Sequence, residues 1–136
     1  MTTETQAAGS DWRRYFTWNT DHKVIGIQYF VTTFVFFLVG GLIAMMIRTE
    51  LIQPGLDLAN GTIFNRFSTN HGSVMIFLWV IPVLAGFGNY VLPLMIGARD
   101  MAFPRLNAAS YWLLLIGGLI MIGSFFVGAS ESGWTA

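Results

Sequence analysis

Apolar residues gather into three long stretches of the chain that contain no charged side chain. The seven Lys and Arg residues and the seven Asp and Glu residues all lie outside residues 24–47, 72–98 and 108–129. At about 1.5 Å of rise per residue, an α-helix formed by any of these stretches would cross a hydrocarbon core of about 30 Å. The pattern therefore predicts an all-α membrane protein with three transmembrane helices.

Turn-forming residues divide the chain further. Pro54 and Gly55 mark a loop after the first stretch, whereas Pro82 and Pro93 lie inside the second and predict a kink there. We expect a polar tail with an interfacial segment at 1–23, helices at 24–47, 70–98 and 107–129, an outer loop at 48–69, an inner loop at 99–106, and an end at 130–136 that looks truncated.

Composition agrees with a membrane protein and argues against other classes. The chain is 54% hydrophobic and 10% charged, with a mean hydropathy of +0.61, which is unusual for a soluble domain of this length. A net charge of zero, without a basic stripe, argues against a nucleic-acid partner. The absence of cysteine excludes disulfides and thiolate metal sites. The polar N-terminal residues do not resemble a signal peptide.

Basic residues near the helix ends predict the orientation in the membrane. Five lie on the N-terminal side and in the loop between the second and third helices, and two lie in the opposite loop; they are Arg13, Arg14, Lys23, Arg99 and Arg105, against Arg48 and Arg66. Because basic residues are enriched in loops on the inner side, we expect the N-terminus to lie inside.

The first candidate for chemistry is His71, which lies beside Gly72 where the second apolar stretch begins. It could be an interfacial histidine that bonds a headgroup or a loop carbonyl. It could also be a haem or metal ligand, because ionisable residues at membrane depth are rare and usually functional. Imidazole is a common axial ligand of haem iron. Sequence position alone leaves both interpretations open.

Three further polar residues lie near the inner end of the second and third helices. Asn89 is inside an apolar helix, Asp100 lies just beyond it, and Asn107 opens the third helix. They could line a wet path from the inner surface. A solvated turn with local Asn caps is the simpler interpretation, and these residues alone favour it.

The outer end of the first helix carries Arg48 and Glu50. Arg48 could be a snorkelling anchor or a donor to a polar cofactor group. Glu50 could be a solvated acid or, with backbone carbonyls, a ligand of a hard cation. His22, which precedes the first helix on the inner side, is interpreted as interfacial.

Five motifs occur together in a familiar order: "TDHKVIG", "IRTELIQPG", "TNHGSVMIF", "GFGNYVLPLMIGARDMAFPRLN" and "GWT". In this order and spacing the chain resembles subunit I of the haem–copper oxidases, and among them the cytochrome c oxidases, over about residues 15–136. The resemblance implies that these residues form the first three helices of a twelve-helix bundle.

The resemblance also implies roles for single residues. His71 matches one of two axial ligands of a low-spin haem A, and Arg48 matches the arginine that bonds its formyl group. Trp134 matches a tryptophan near the haem propionates. Glu50 and Gly55 match a peripheral calcium or sodium site. The proton-uptake pathway would use an entrance acid and two water-binding asparagines, matched here by Asp100, Asn89 and Asn107.

At the level of the whole enzyme, the resemblance implies electron transfer from cytochrome c to oxygen, which is reduced to water, coupled to proton pumping. The second haem and the copper would be bound beyond residue 136, so we expect a fragment that is inactive by itself. The expected partners are the remainder of subunit I, subunits II and III, cytochrome c and the lipid bilayer. The expected location is the bacterial plasma membrane or another respiratory membrane.

Two positions depart from many members of the family: Phe64 stands where tyrosine is common, and Asp21 where asparagine is common. A quinol oxidase of the same superfamily is the nearest alternative, but Ile63 and Arg66 cannot replace the His and Gln that bind quinol there. A dihaem cytochrome b would need paired histidines, and only His71 lies at a spanning helix. A three-helix structural or assembly protein would need no ligands at all.

Overall fold

Helices make up most of the computed structural model, which describes residues 12–55 and 59–128. A short 3-10 helix, Trp12–Tyr15, precedes the longer elements. We name the α-helices α1 to α4 in chain order: His22–Glu50, Gly61–Ser73, Ile81–Ile96 and Pro104–Val127. A π-helical segment, Val74–Val80, joins α2 to α3 without interruption.

Three helical stretches are long and apolar enough to cross a membrane, which confirms the predicted all-α architecture. They are α1, the continuous stretch Gly61–Ile96 and α4, with 29, 36 and 24 residues. At about 1.5 Å per residue, even the shortest reaches about 36 Å, against about 30 Å for the hydrocarbon core. The helices therefore continue into the interfacial layers, most of all the second span.

The helix ends differ from the predicted segment bounds, chiefly in the loop predicted at 48–69. Instead of residues 48–69, only residues 51–60 separate α1 from α2. The polar start of α2 is helical because Asn60 caps it: the Asn60 side chain accepts a hydrogen bond from the Ile63 backbone N–H at 2.9 Å. Asp21 caps α1 in the same way, accepting from the Lys23 N–H at 2.9 Å. Hydropathy locates the membrane-crossing part of a helix, but not its capped ends.

The second span changes its hydrogen-bonding pattern before Pro82, where the sequence predicts a kink. The π-helical segment Val74–Val80 precedes Pro82, and the Ile81 N–H donates a hydrogen bond to the Ile76 carbonyl, five residues back. A proline inside an α-helix has no N–H and its ring collides with the carbonyl four residues earlier. The wider π turn gives that ring space, so the irregularity lies one turn before Pro82.

The helices pack around α1, which contacts every other helical element. Near the start of both helices, Ile25 and Tyr29 of α1 are buried against Ala108 and Tyr111 of α4. Further along α1, Phe36 is buried against Val74 and Leu78 of the second span and forms a second cluster. These two clusters position the polar groups of the candidate sites.

Candidate functional site

His71 lies near the end of α2 and faces the backbone of α1. Its ring atom Nδ1 is 2.9 Å from the backbone carbonyl oxygen of Gly40. A carbonyl can only accept a hydrogen bond, so Nδ1 must carry the proton and donate it. In the neutral ring the lone pair is then on Nε2, which makes no hydrogen bond within residues 12–55 and 59–128. This arrangement is typical of a metal-binding histidine, whose second nitrogen is held by a carbonyl or carboxylate.

The carbonyl of Gly40 is accessible to His71 because α1 and the second span approach closely there. A Cβ atom placed on Gly40 would lie 2.7 Å from the Met75 Sδ atom and 3.2 Å from Val74 Cγ1. Val74 is buried and β-branched, so it has little freedom to move. A side chain at position 40 would therefore separate the helix carrying His71 from the carbonyl that orients it.

The other residues predicted to bind the cofactor are not brought to His71 by a described contact. Arg48 lies in the last turn of α1 and is exposed. It is eight residues beyond Gly40, about 12 Å further along the helix. Trp134 lies outside the residues that the structure describes. Of this predicted group, the structure supplies geometry for His71 only.

The loop after α1 brings the two predicted cation-site residues together. Glu50 and Gly55 line one cavity of about 510 Å³, and Phe64 of α2 closes its side. Glu50 is only 5% exposed, and its Oε2 atom accepts a hydrogen bond from the Ala59 N–H at 3.1 Å. Glu50 is therefore a buried acid rather than a solvated one. Among the described residues no three His, Cys, Asp or Glu side chains converge on a metal position, so a cation here would rely on backbone oxygens.

Polar groups near the start of α4 form a connected group between α3, α4 and α1. The Asn107 amide of α4 donates to the side-chain oxygen of Asn89 on α3, and Asn89 donates to the Ala85 carbonyl at 2.9 Å. Asn107 is thus not a local helix cap, because its amide reaches a different helix. The Asn107 backbone carbonyl accepts a hydrogen bond from the Ser110 hydroxyl at 2.7 Å. The Ser110 hydroxyl lies 2.9 Å from the Tyr29 hydroxyl of α1.

Ser110 and Tyr29 were not predicted as site residues, although they continue the polar group away from the asparagines. No sequence motif identifies these two residues, because hydroxyl side chains are common in membrane helices and only the helix packing brings this pair together. A weak signal was available in the spacing, since Ser110 follows Asn107 by three residues and shares its face of α4.

The two remaining candidates, Asp100 and His22, lie in different surroundings. Asp100 is exposed in the turn between α3 and α4, and its Oδ1 atom accepts from the Met101 N–H at 2.8 Å, as expected of a solvated turn. The structure shows no described contact from Asp100 to either asparagine. His22 is buried, with 2% exposure, and its Nδ1 atom has no hydrogen-bond partner among the described residues.

Comparison with known proteins identifies the family. The sequence profile described as "Cytochrome C and Quinol oxidase polypeptide I" matches residues 24–136. The chain belongs to this family. It is 56% identical over 126 residues to cytochrome c oxidase subunit 1 of Thermostichus vulcanus, and 54% identical over 125 residues to that of Synechocystis sp.. A putative subunit 1-beta from Streptomyces coelicolor is 51% identical over 119 residues.

The chain spans only part of the length of these relatives. The match to the Thermostichus vulcanus and Synechocystis proteins covers 92% of this chain but 23% of each relative, and the match to the Streptomyces protein covers 86% and 21%. The chain therefore corresponds to about a quarter of a larger subunit 1. Membership of the oxidase family implies haem as a cofactor, and the three spans make the chain a membrane protein. A three-helix structural or assembly protein is not favoured.

Proposed function

We propose that this chain forms part of subunit I of a cytochrome c oxidase and supplies an axial ligand of its low-spin haem. The observation that carries the proposal is the hydrogen bond from His71 Nδ1 to the Gly40 carbonyl. It leaves the lone pair of Nε2 free and fixes the plane of the ring. The haem, when bound, supplies a one-electron redox centre whose potential depends on its axial ligands and surroundings.

Further residues of this chain would complete the surroundings of a haem A. Arg48, exposed at the outer end of α1, has the donor groups to bond a formyl oxygen. Trp134 would lie near the propionates. The second axial ligand, the second haem and the copper would be bound by the remainder of subunit I, and subunits II and III would complete the enzyme.

Proton uptake is the second role that we assign to this chain. Asp100 would accept protons at the inner surface, and Asn107 and Asn89 would hold water between it and the interior. Ser110 and Tyr29 continue this path with hydroxyl groups that both donate and accept hydrogen bonds. The hydrogen bond between the Asn107 and Asn89 side chains and the contact between the Ser110 and Tyr29 hydroxyls support the path, because polar side chains inside an apolar bundle are usually functional.

The cavity beside Glu50 and Gly55 would hold a calcium or sodium ion. The position of the Glu50 carboxylate and Gly55 on one cavity supports this assignment, because carboxylate and backbone oxygens are the ligands of hard cations. The N-terminus would lie inside, in a bacterial plasma membrane or another respiratory membrane, so that Asp100 faces the side of proton uptake and Glu50 the outer side.

The electron donor distinguishes the proposed enzyme from a quinol oxidase of the same family. The test is oxygen consumption by the purified enzyme that contains this chain, driven by reduced cytochrome c or by a quinol at matched concentrations. We expect oxygen consumption with cytochrome c and little with the quinol. Turnover supported by the quinol alone would assign the chain to a quinol oxidase, and a lack of oxygen consumption with both donors would contradict the proposal.

A further inference from the structure

The inner end of the molecule contains a groove that the proposed oxidase function does not use. It lies between the 3-10 helix, α1 and α4 and has a volume of about 580 Å³. Phe16 of the N-terminal segment, Val31 of α1, and Trp112 and Leu115 of α4 are among its lining residues. Phe16 and Val31 are 72% and 60% exposed, so the groove opens to the surroundings of the helices.

The 3-10 helix is held against α1 at the depth of the membrane surface. The buried Gln28 side chain donates to the Tyr15 carbonyl at 3.0 Å. Gln28 is six residues into α1, about 9 Å from its start. Since α1 is about 13 Å longer than the hydrocarbon core, this level lies close to the boundary between headgroups and acyl chains. Aromatic residues such as those of the 3-10 helix are enriched at this boundary.

Two arginines stand at the rim of the groove and are held by the aromatic rings that line it. The Arg14 guanidinium lies 5.1 Å from the ring centroid of Tyr15, and that of Arg13 lies 5.9 Å from the Trp12 ring. Trp12 and Tyr15 both line the groove, so the two positive charges lie beside the part of its wall that these two rings form. Arginine binds phosphate through paired N–H donors.

From this combination we propose that the groove binds an anionic phospholipid of the inner leaflet. The phosphate would contact Arg13 and Arg14, and one acyl chain would lie along Val31 and Leu115. The Thr32 and Tyr111 hydroxyls, 2.9 Å apart, bond each other on the groove wall. Their mutual bond lowers the cost of placing an acyl chain beside them. Charge and depth together favour an anionic lipid over a neutral one.

The test uses the purified oxidase that contains this chain, placed in nanodiscs with a phosphatidylglycerol that carries a photoreactive diazirine in its acyl chain. Crosslinked peptides are then mapped by mass spectrometry, with unlabelled phosphatidylglycerol or phosphatidylcholine as competitor. Variants Arg13→Gln, Arg14→Gln and both together remove the rim charges. Lys23→Gln is the matched control, because Lys23 is basic and on the same side, but no described cation–π contact joins it to a ring that lines the groove.

We expect crosslinks on the segments that line the groove, and better competition by phosphatidylglycerol than by phosphatidylcholine. Labelling should fall about fivefold for each arginine variant, further for the pair, and stay unchanged for Lys23→Gln. Equal competition by both lipids, or undiminished labelling of the double variant, would mean ordinary lipid contact and overturn the proposal. Absence of labelled groove peptides would mean that protein covers the groove, and would overturn it as well. The readout needs no turnover, so it is independent of the proposed oxidase activity.

Discussion

At the scale of single residues, the orientation of His71 depends on a residue without a side chain. The close approach at Gly40 makes its carbonyl available to the imidazole, and a Cβ there would meet Met75 and Val74. The position of His71 at the start of an apolar stretch marks it in the sequence as a candidate ligand. The sequence marks Gly40 only as a small residue that permits close helix approach, because a backbone carbonyl that accepts a hydrogen bond leaves no mark.

Gly40→Ala should therefore disturb the ligand as well as the packing. We expect a loss of stability of about 1–3 kcal/mol from overpacking, together with a shift of the low-spin haem absorbance band in the assembled oxidase. Gly41→Ala is the control, because nothing lies within 4 Å of a Cβ at Gly41. Thermal unfolding and the optical spectrum measure the two effects. If Gly40→Ala behaves like the control in both, the close approach does not orient His71.

The contact between Asn89 and Asn107 can be measured as a coupling between two helices. Removing either amide leaves the other without its partner in an apolar bundle, which costs about 1–3 kcal/mol. We expect the double variant Asn89→Ala/Asn107→Ala to lose less stability than the sum of the single variants, with a coupling of about 1 kcal/mol. Unfolding of the four proteins of this cycle gives the value, and strict additivity would show that the two side chains do not interact.

At the scale of elements, the three spans were predictable and their ends were not. Charge-free apolar stretches are imposed by the bilayer, which cannot satisfy a charged side chain. The ends depend on single capping groups such as Asn60, which extends the second span outward by nine residues relative to the predicted start at 70. The two prolines predicted an irregular second span, but a π-helical segment rather than a simple kink precedes Pro82.

Asn60→Ala tests the cap at the start of α2. The substitution removes the acceptor of the Ile63 N–H and should destabilise the first turn by about 1 kcal/mol. Hydrogen exchange of the Ile63 and Phe64 amides should accelerate, whereas exchange in α3 should not change. Asn65→Ala, at an exposed position of the same helix, is the control. Unchanged exchange in the Asn60 variant would contradict the assigned helix start.

At the scale of the whole molecule, much apolar surface of the three spans is exposed. The most apolar window of α4 is only 11% buried, and that of α1 only 17%. Exposed apolar surface of this extent requires contact with lipid or with further protein. This agrees with a chain that corresponds to about a quarter of its relatives.

Asp100→Asn tests the proposed direction of proton uptake in the complete oxidase. An amide cannot carry a proton from the inner surface, so turnover and the number of protons pumped per electron should both fall severalfold or more. Asp21→Asn removes another exposed acid of the same side and keeps an acceptor that can cap α1, so it should leave both unchanged. Equal behaviour of the two variants would exclude Asp100 as the proton acceptor.

The central claim, that His71 binds the low-spin haem, is tested most directly by the absorbance spectrum of the oxidase carrying His71→Ala. We expect the low-spin haem bands to disappear or shift, and external imidazole to restore them in part, because it can occupy the space of the missing ring. His22→Gln, which changes the other histidine of this chain, should leave those bands in place. A His71→Ala enzyme with unaltered low-spin haem bands would contradict the account.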